Sequence, residues 1–223
     1  ASAPTGLYFV RHELNGHRFE YRRAGSAASR MTADTLPVEA ILSAQFTHVS
    51  GITLAISASA RDAGLEAMRI AGAAGRQVSF DPNLRLALWP LEEARYEITQ
   101  ALGLADIALP GLDDARQITG LDAPEDIVRA FHEMGPDVVA LTLGEEGALL
   151  GHAGTITHIP GVPVPAVDAT GAGDCFDGAF LTRLSKGDAP EAACRYAVAA
   201  SALSVQGYGA VGPLPTVADM SAG

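Results

Sequence analysis

Apolar and polar residues follow two rhythms along this chain, and the places where one gives way to the other outline its elements. Residues 7–14 and 17–23 alternate with the two-residue period of a strand. They flank Asn15-Gly16, a pair suited to the positive φ angles of a tight turn, which predicts an opening antiparallel hairpin. The period then changes repeatedly: a strand over 46–51, a helix over 58–74, a strand over 77–81, a helix over 91–102 and a strand over 106–110. Helices over 113–119 and 124–134 and a strand over 138–143 follow. Such alternation implies strands joined by helical crossovers, hence a mostly parallel sheet covered by helices. Residues 147–159 alternate as a second hairpin turning at 151–154, and helices follow over 171–185 and 191–205. Pro124 and Pro190 sit where the first turn of a helix loses nothing by lacking an N–H. Residues 216–223 read as a closing helix cut short.

Composition narrows the class. A chain of 223 residues that is 48% hydrophobic can bury a substantial core. Lys and Arg number 15 against 26 Asp and Glu, a net charge of −11 scattered along the chain, which disfavours nucleic acid as a partner. No apolar run reaches the roughly 18 residues of a membrane span, and the first residues lack the charged and apolar regions of a signal peptide. The chain reads as cytoplasmic, with no membrane partner. Cys175 and Cys194 fall in predicted helices and read as buried free thiols. The six histidines show no metal-ligand spacing with Cys or acidic partners. The chain starts in strand-like sequence without an initiator Met and reads as a fragment.

Chemistry concentrates in Asp168-Ala-Thr-Gly171-Ala172-Gly173-Asp174, reached through the proline-rich 160–165 and followed by apolar Phe176, Ala179, Phe180 and Leu184 at helical spacing. The motif therefore opens a helix. Small residues at 171–173 let a ligand approach the backbone, and the first amides of a helix point outward without partners, with the dipole adding positive potential. That combination makes an anion hole. A carboxylate beside it at Asp174 is placed to take a proton from an attacking hydroxyl while the amides stabilise a transferring phosphoryl group. Read alone, the same run also fits a tight turn with Asp168 or Asp174 capping a helix. Upstream, Thr142-Leu-Gly144-Glu145-Glu-Gly147 links two strands, and by itself fits either a plain hairpin connection or a ligand-facing turn. No Gly-x-x-x-x-Gly-Lys-[Ser/Thr] loop occurs. Gly207-Tyr-Gly209-Ala-Val-Gly212 matches Gly-x-Gly-x-x-Gly but runs into Pro213 instead of opening a helix, so it does not read as a dinucleotide site.

The run 168–174 followed by Phe176-Asp177-Gly178-Ala179-Phe180 resembles the second signature of the ribokinase-like (PfkB-type) carbohydrate kinases. The resemblance implies a three-layer α/β/α fold with a mostly parallel sheet, residues 1–28 forming a partial β lid on the substrate side and 29–223 the nucleotide-binding and catalytic core. It implies ATP and Mg²⁺ as cofactors, with a monovalent cation as a further candidate. Asp174 would be the base that activates a sugar hydroxyl, with Gly171, Ala172 and Gly173 as the hole for the transferring phosphate. Thr142, Gly144, Glu145 and Gly147 would contact the nucleotide, Asn83 would lie near it, and Arg85 would reach substrate or phosphate.

Within that family, 4–8, 21–29 and 79–89 look like 2-keto-3-deoxygluconate kinases. A sugar-acid carboxylate calls for arginine and hydroxyl donors, and the resemblance implies Arg23 as its ligand, with Tyr8 and Tyr21 supplying hydroxyls or apolar walls. The hairpin would close over the sugar, and Leu7, Phe9 and Phe19 suggest a homo-oligomer through that lid. Fructokinase- or ribokinase-like specificity, or a nucleotide-binding module without turnover, are the alternatives. Three features depart from the family pattern. Its first signature, Gly-Gly-x-x-Asn, is absent from this sequence. Gly111-Leu-Asp-Asp114 replaces Asn-x-x-Glu, leaving Asp114 as the candidate for an indirect hold on Mg²⁺. Val198 stands where Asn commonly neighbours the adenine.

Overall fold

The computed structural model describes residues 3–13 and 16–221, with backbone alone over 10–13 and 16–19. Alternating residues pair β1 (Leu7–Glu13) antiparallel with β2 (Gly16–Arg22), setting Tyr8 opposite Tyr21. Of the predicted turn pair, Asn15 lies outside the described residues and Gly16 begins β2. The hairpin forms its own two-stranded sheet. Its base is held by Ala27 N–H donating to Pro4 O at 2.8 Å, and Ser57 Oγ donating to Ser29 O at 2.8 Å fastens the next segment to the core.

That core is a six-stranded sheet with its strands side by side in chain order: β3 (Phe46–Ser50), β4 (Gln77–Asp81), β5 (Ile107–Ala108), β6 (Val138–Thr142), β7 (Gly147–His152) and β8 (Thr155–Pro160). The first four are parallel, and β7 and β8 are antiparallel additions made by the second hairpin. The predicted strand over 106–110 shrinks to two residues. Its flanks keep single bonds to the neighbouring strands, Asp106 N–H donating to Val78 O at 2.9 Å and Thr142 N–H to Pro110 O at 2.9 Å, but Pro110 has no N–H to continue the ladder, and the Asp106 carboxylate accepts Val78 N–H at 2.7 Å.

Helices α1 (Val38–Ser43), α2 (Gly51–Ala55), α3 (Ala58–Ala73), α4 (Leu91–Leu102), α5 (Leu112–Thr119) and α6 (Pro124–Met134) connect the parallel strands or precede them. Helices α7 (Ala172–Ser185), α8 (Pro190–Ser204) and the short α9 (Val217–Met220) follow the sheet. The sequence reading missed α1 and α2, which are too short to display a helical period.

Period-two alternation sends neighbouring sheet residues to opposite faces and so makes three layers. On one face Val78, Phe80, Ala108, Val139 and Leu141 pack with Met68, Ile98, Leu102 and Phe131. On the other, Ile107, Ala140, Ala148, Leu150 and Ile159 pack with Phe176, Phe180 and Ala197. Phe176 and Phe180 stack one turn apart with ring centroids 6.0 Å apart. Burial of each stabilises the fold by about 1.5–3 kcal/mol, and together they clamp the first turns of α7 to the sheet. The position of Asp174, two residues before Phe176, is therefore set by core packing.

Candidate active site

Three backbone turns meet at the carboxyl ends of β4, β5 and β6, where ligands of open α/β sheets collect. The first precedes α7. Gly171 adopts φ +79°, and a Cβ there would sit 2.8 Å from the Cβ of Ala210, so glycine is required by both conformation and space. Asp168, buried, accepts Thr170 N–H at 2.9 Å and Thr170 Oγ1–H at 2.6 Å through one oxygen, and Gly209 N–H at 2.8 Å through the other. It therefore shapes the loop rather than capping the helix. The Gly207–Gly212 segment, whose pattern mimicked a dinucleotide motif, is the wall that this carboxylate ties to the Gly171 turn.

The amides of the expected hole divide. Ala172 N–H donates to Ala169 O at 3.1 Å, which turns it away from any ligand. The N–H groups of Gly171, Gly173 and Asp174 have no acceptor among the described residues, and all three residues line the cleft. Asp174 supplies both an amide and an exposed carboxylate in the first turn of α7.

The second turn follows β4. Asn83 holds φ +33°, and the Asp81 carboxylate accepts its N–H at 3.0 Å. Asp114, in the first turn of α5, accepts Leu84 N–H at 2.9 Å and lies 3.7 Å from an Arg85 Nη. Gly51 admits the turn, since a Cβ there would fall 1.8 Å from Pro82 O. The third turn joins β6 to β7, with Gly144 and Gly147 both at positive φ.

The lid completes the site. Tyr8 and Tyr21 have ring centroids 6.4 Å apart, and the Arg23 guanidinium lies 5.9 and 5.3 Å from them. One cleft of about 510 Å³ brings together Tyr8, Tyr21, Arg23, Asn83, Arg85, Asp114, Thr142, Gly171, Gly173 and Asp174. A second, more apolar pocket of about 380 Å³ takes in Gly144, Glu145, Gly147 and Ala172, with Val198 as part of its wall. Both pockets are lined by Thr142, Ala169 and Gly173, so they join beside the start of α7. Every residue given a catalytic, substrate, nucleotide or metal role from the sequence borders one or the other.

Two carboxylates of the cleft were given no role by the sequence reading. Asp177 is buried one helical turn beyond Asp174, and Asp81 ends β4. Burial pushes the Asp81 carboxyl up to about 7, the charges of Asp174 and Asp114 adding to it while Asn83 N–H and Arg85 oppose it. Burial also raises Asp177 well above the usual carboxylate range, with the charges of Asp81 and Asp174 contributing. The floor of the cleft thus favours retaining protons next to the exposed Asp174 carboxylate. The only sequence signal was the carboxylate three residues after Asp174, too common a pattern to single out. Among the described residues no three His, Cys, Asp or Glu side chains form a metal cage. Asp114 accepts Leu84 N–H and faces the Arg85 guanidinium through the same carboxylate oxygen. No helix among the described residues is long and apolar enough to cross a membrane.

Comparison with known proteins agrees with this geometry. The pattern of the pfkB family carbohydrate kinases matches residues 1–217. The chain is 39% identical to a 2-dehydro-3-deoxygluconokinase of Thermoproteus tenax over 91% of this chain and 63% of that protein. It is 36% identical to fructokinase-1 of Zea mays over 99% and 71%. A fructokinase of Vibrio cholerae O395, solved with fructose, ADP and calcium ion bound, superposes with a TM-score of 0.87 at 28% identity, covering 100% of this chain and 74% of that one. The chain spans 63% of the length of the first of these relatives. The fold, the helix-opening turn at Asp174 and these likenesses agree, and the chain belongs to the pfkB family of carbohydrate kinases.

Proposed function

We propose that this chain carries the phosphoryl-transfer centre of an ATP-dependent kinase that converts 2-keto-3-deoxygluconate to its 6-phosphate. The observation that carries the reading is the position of Asp174 and the acceptor-free amides of Gly173 and Asp174 beside the junction of two pockets. The apolar pocket suits a nucleotide base, with Val198 as a wall in place of a polar neighbour; the cleft suits a sugar and the transferring phosphate. The Vibrio cholerae fructokinase bound to ADP supports the nucleotide assignment.

In this reading Asp174 accepts the proton of the primary hydroxyl as its oxygen forms a bond to the γ-phosphorus. The bond from that phosphorus to the bridging oxygen breaks, and ADP leaves. Helix-terminal amides stabilise charge on the transferring group, and Arg85 approaches it from the opposite turn. Tyr8, Tyr21 and Arg23 cover the sugar and exclude water. Magnesium, when it enters with the nucleotide phosphates, supplies charge neutralisation. The described side chains offer it no cage of their own, so no step here depends on one.

Sugar acid is preferred over neutral sugar because Arg23 is steadied by two aromatic faces, a preorganised partner for a carboxylate. Fructose phosphorylation is the second reading, favoured by the 36% identity to fructokinase-1 of Zea mays. A coupled ADP-release assay with 2-keto-3-deoxygluconate, fructose and ribose separates them. Arg23→Ala should raise KM for the sugar acid about tenfold or more and leave KM for ATP unchanged. A neutral-sugar preference indifferent to that substitution would overturn the sugar-acid assignment. Two copies would associate through the exposed Leu7 and Phe9 of the hairpin, and light scattering reading a monomer would refute it.

A further inference from the structure

Asp114 was expected, by family likeness, to hold magnesium indirectly, and its surroundings argue for another task. The turn after β4 is under constraint from several sides. Pro82 is pressed against Gly51 so closely that any Cβ at 51 would collide with the Pro82 carbonyl. The next residue, Asn83, is held at φ +33°, outside the broad minima of a non-glycine residue. Leu84 is buried in the core at 4% exposure, and Arg85 then emerges into the cleft.

Such a turn persists only if its surroundings hold it. Two carboxylates do so by accepting successive amides, Asp81 from Asn83 at 3.0 Å and Asp114 from Leu84 at 2.9 Å. The second bond spans 30 positions in sequence and joins the start of α5 to the turn. The Asp114 oxygen that takes the Leu84 amide is also the one 3.7 Å from the Arg85 guanidinium, which itself donates to Leu84 O at 2.9 Å. One carboxylate oxygen thereby holds the backbone amide of Leu84 and pairs with the side chain of the next residue, Arg85, which enters the cleft. A cation placed on that oxygen would compete with an amide and lie beside a fixed positive charge.

We infer that Asp114 is a positioning residue for Arg85, holding the 83–85 turn over the cleft, and that it does not hold Mg²⁺. The inference rests on the kinase reading only in what Arg85 does, not in how it is held.

The test uses Asp114→Asn, which keeps an acceptor for Leu84 N–H without the charge, and Asp114→Ala, which removes both. Calorimetry with adenylyl imidodiphosphate, with and without Mg²⁺, is run on these, on Arg85→Gln and on the Arg85→Gln/Asp114→Ala double variant. Without Mg²⁺, Asp114→Ala should weaken binding about tenfold or more, the scale of a lost charge-assisted hydrogen bond, while Asp114→Asn stays within about threefold of the unsubstituted chain. The double variant should match Arg85→Gln alone, because both changes remove one contact. Amide exchange at Leu84 should accelerate in Asp114→Ala and stay slow in Asp114→Asn.

If both Asp114 variants keep Mg²⁺-free affinity and raise the Mg²⁺ half-saturation about tenfold, the residue serves the metal and the inference is overturned. If the unsubstituted chain binds no analogue under either condition, the kinase reading fails. Exchange at Leu84 then still decides this inference, and slow exchange retained in Asp114→Ala refutes it.

Discussion

Replacing Gly171 by Ala tests whether the turn before α7 is as tightly specified as its geometry implies. Two costs are legible. An alanine at φ +79° in the left-handed region costs roughly 1–2 kcal/mol relative to glycine. Its Cβ would also lie 2.8 Å from Ala210 Cβ and 3.1 Å from Ala210 Cα, and the second of these is backbone that cannot rotate away. Relief requires the Gly207–Gly212 segment to withdraw, which strains the 2.8 Å bond from Gly209 N–H to Asp168, a charge-assisted bond worth about 1.5–3 kcal/mol. The two terms overlap, so about 2–3 kcal/mol of destabilisation is expected, or a Tm lower by roughly 4–12 °C for a chain of this size. Activity should fall further than stability, because a shift of the first turn of α7 moves the base and the acceptor-free amides together; about a hundredfold in kcat is expected. The assay is thermal melting followed by coupled ADP release at a temperature where all variants are folded. Adding Ala210→Gly removes the nearest partner of the clash but leaves the φ penalty, so the double variant should recover part of the stability. Gly171→Ala with unaltered Tm and kcat would refute the account of the turn, and no recovery in the double variant would refute the clash as its cause.

Two further outcomes follow from the same cleft. Asp174→Asn should lower kcat by about 10² to 10⁴ with nucleotide affinity retained, read by ADP release and calorimetry; unchanged kcat would remove Asp174 as the base. Asp177 is raised by burial in the folded protein, so the folded state holds its proton to higher pH than the unfolded chain. Its contribution is therefore favourable below the ordinary carboxylate range and is lost as pH rises above it, Asp81 following the same sign up to about 7. Asp177→Asn cannot ionise, so its Tm should decline less between pH 5 and pH 8 than that of the unsubstituted chain; equal declines in melting scans would contradict the buried-acid assignment.

Much of this molecule was determined by local sequence, because strand and helix periods and the proline and glycine boundaries act over a few residues. Helices over 91–102 and 124–134 were legible to the residue, as was the strand over 77–81. The run from Asp168 to Phe180 identified the opening of α7, since small residues followed by an apolar helical stripe describe a helix start wherever it lies. Tertiary structure decided what those residues do. That Asp168 reaches 41 positions to Gly209, and that Ala210 forbids a side chain at 171, depend on the return of the chain after α8. Ala172 could be placed in the anion hole from sequence, but only the turn's conformation sent its amide to Ala169 and left those of Gly173 and Asp174 facing the cleft. Asp114 likewise held its place in the sequence pattern, and its bond to the Leu84 amide, 30 positions earlier, depends on the fold. The raised carboxyls of Asp81 and Asp177 could not be read in advance, because desolvation and neighbouring charge are properties of the assembled cleft. Residue types and periods set which groups were available, and packing over long sequence separations set their direction, partners and charge.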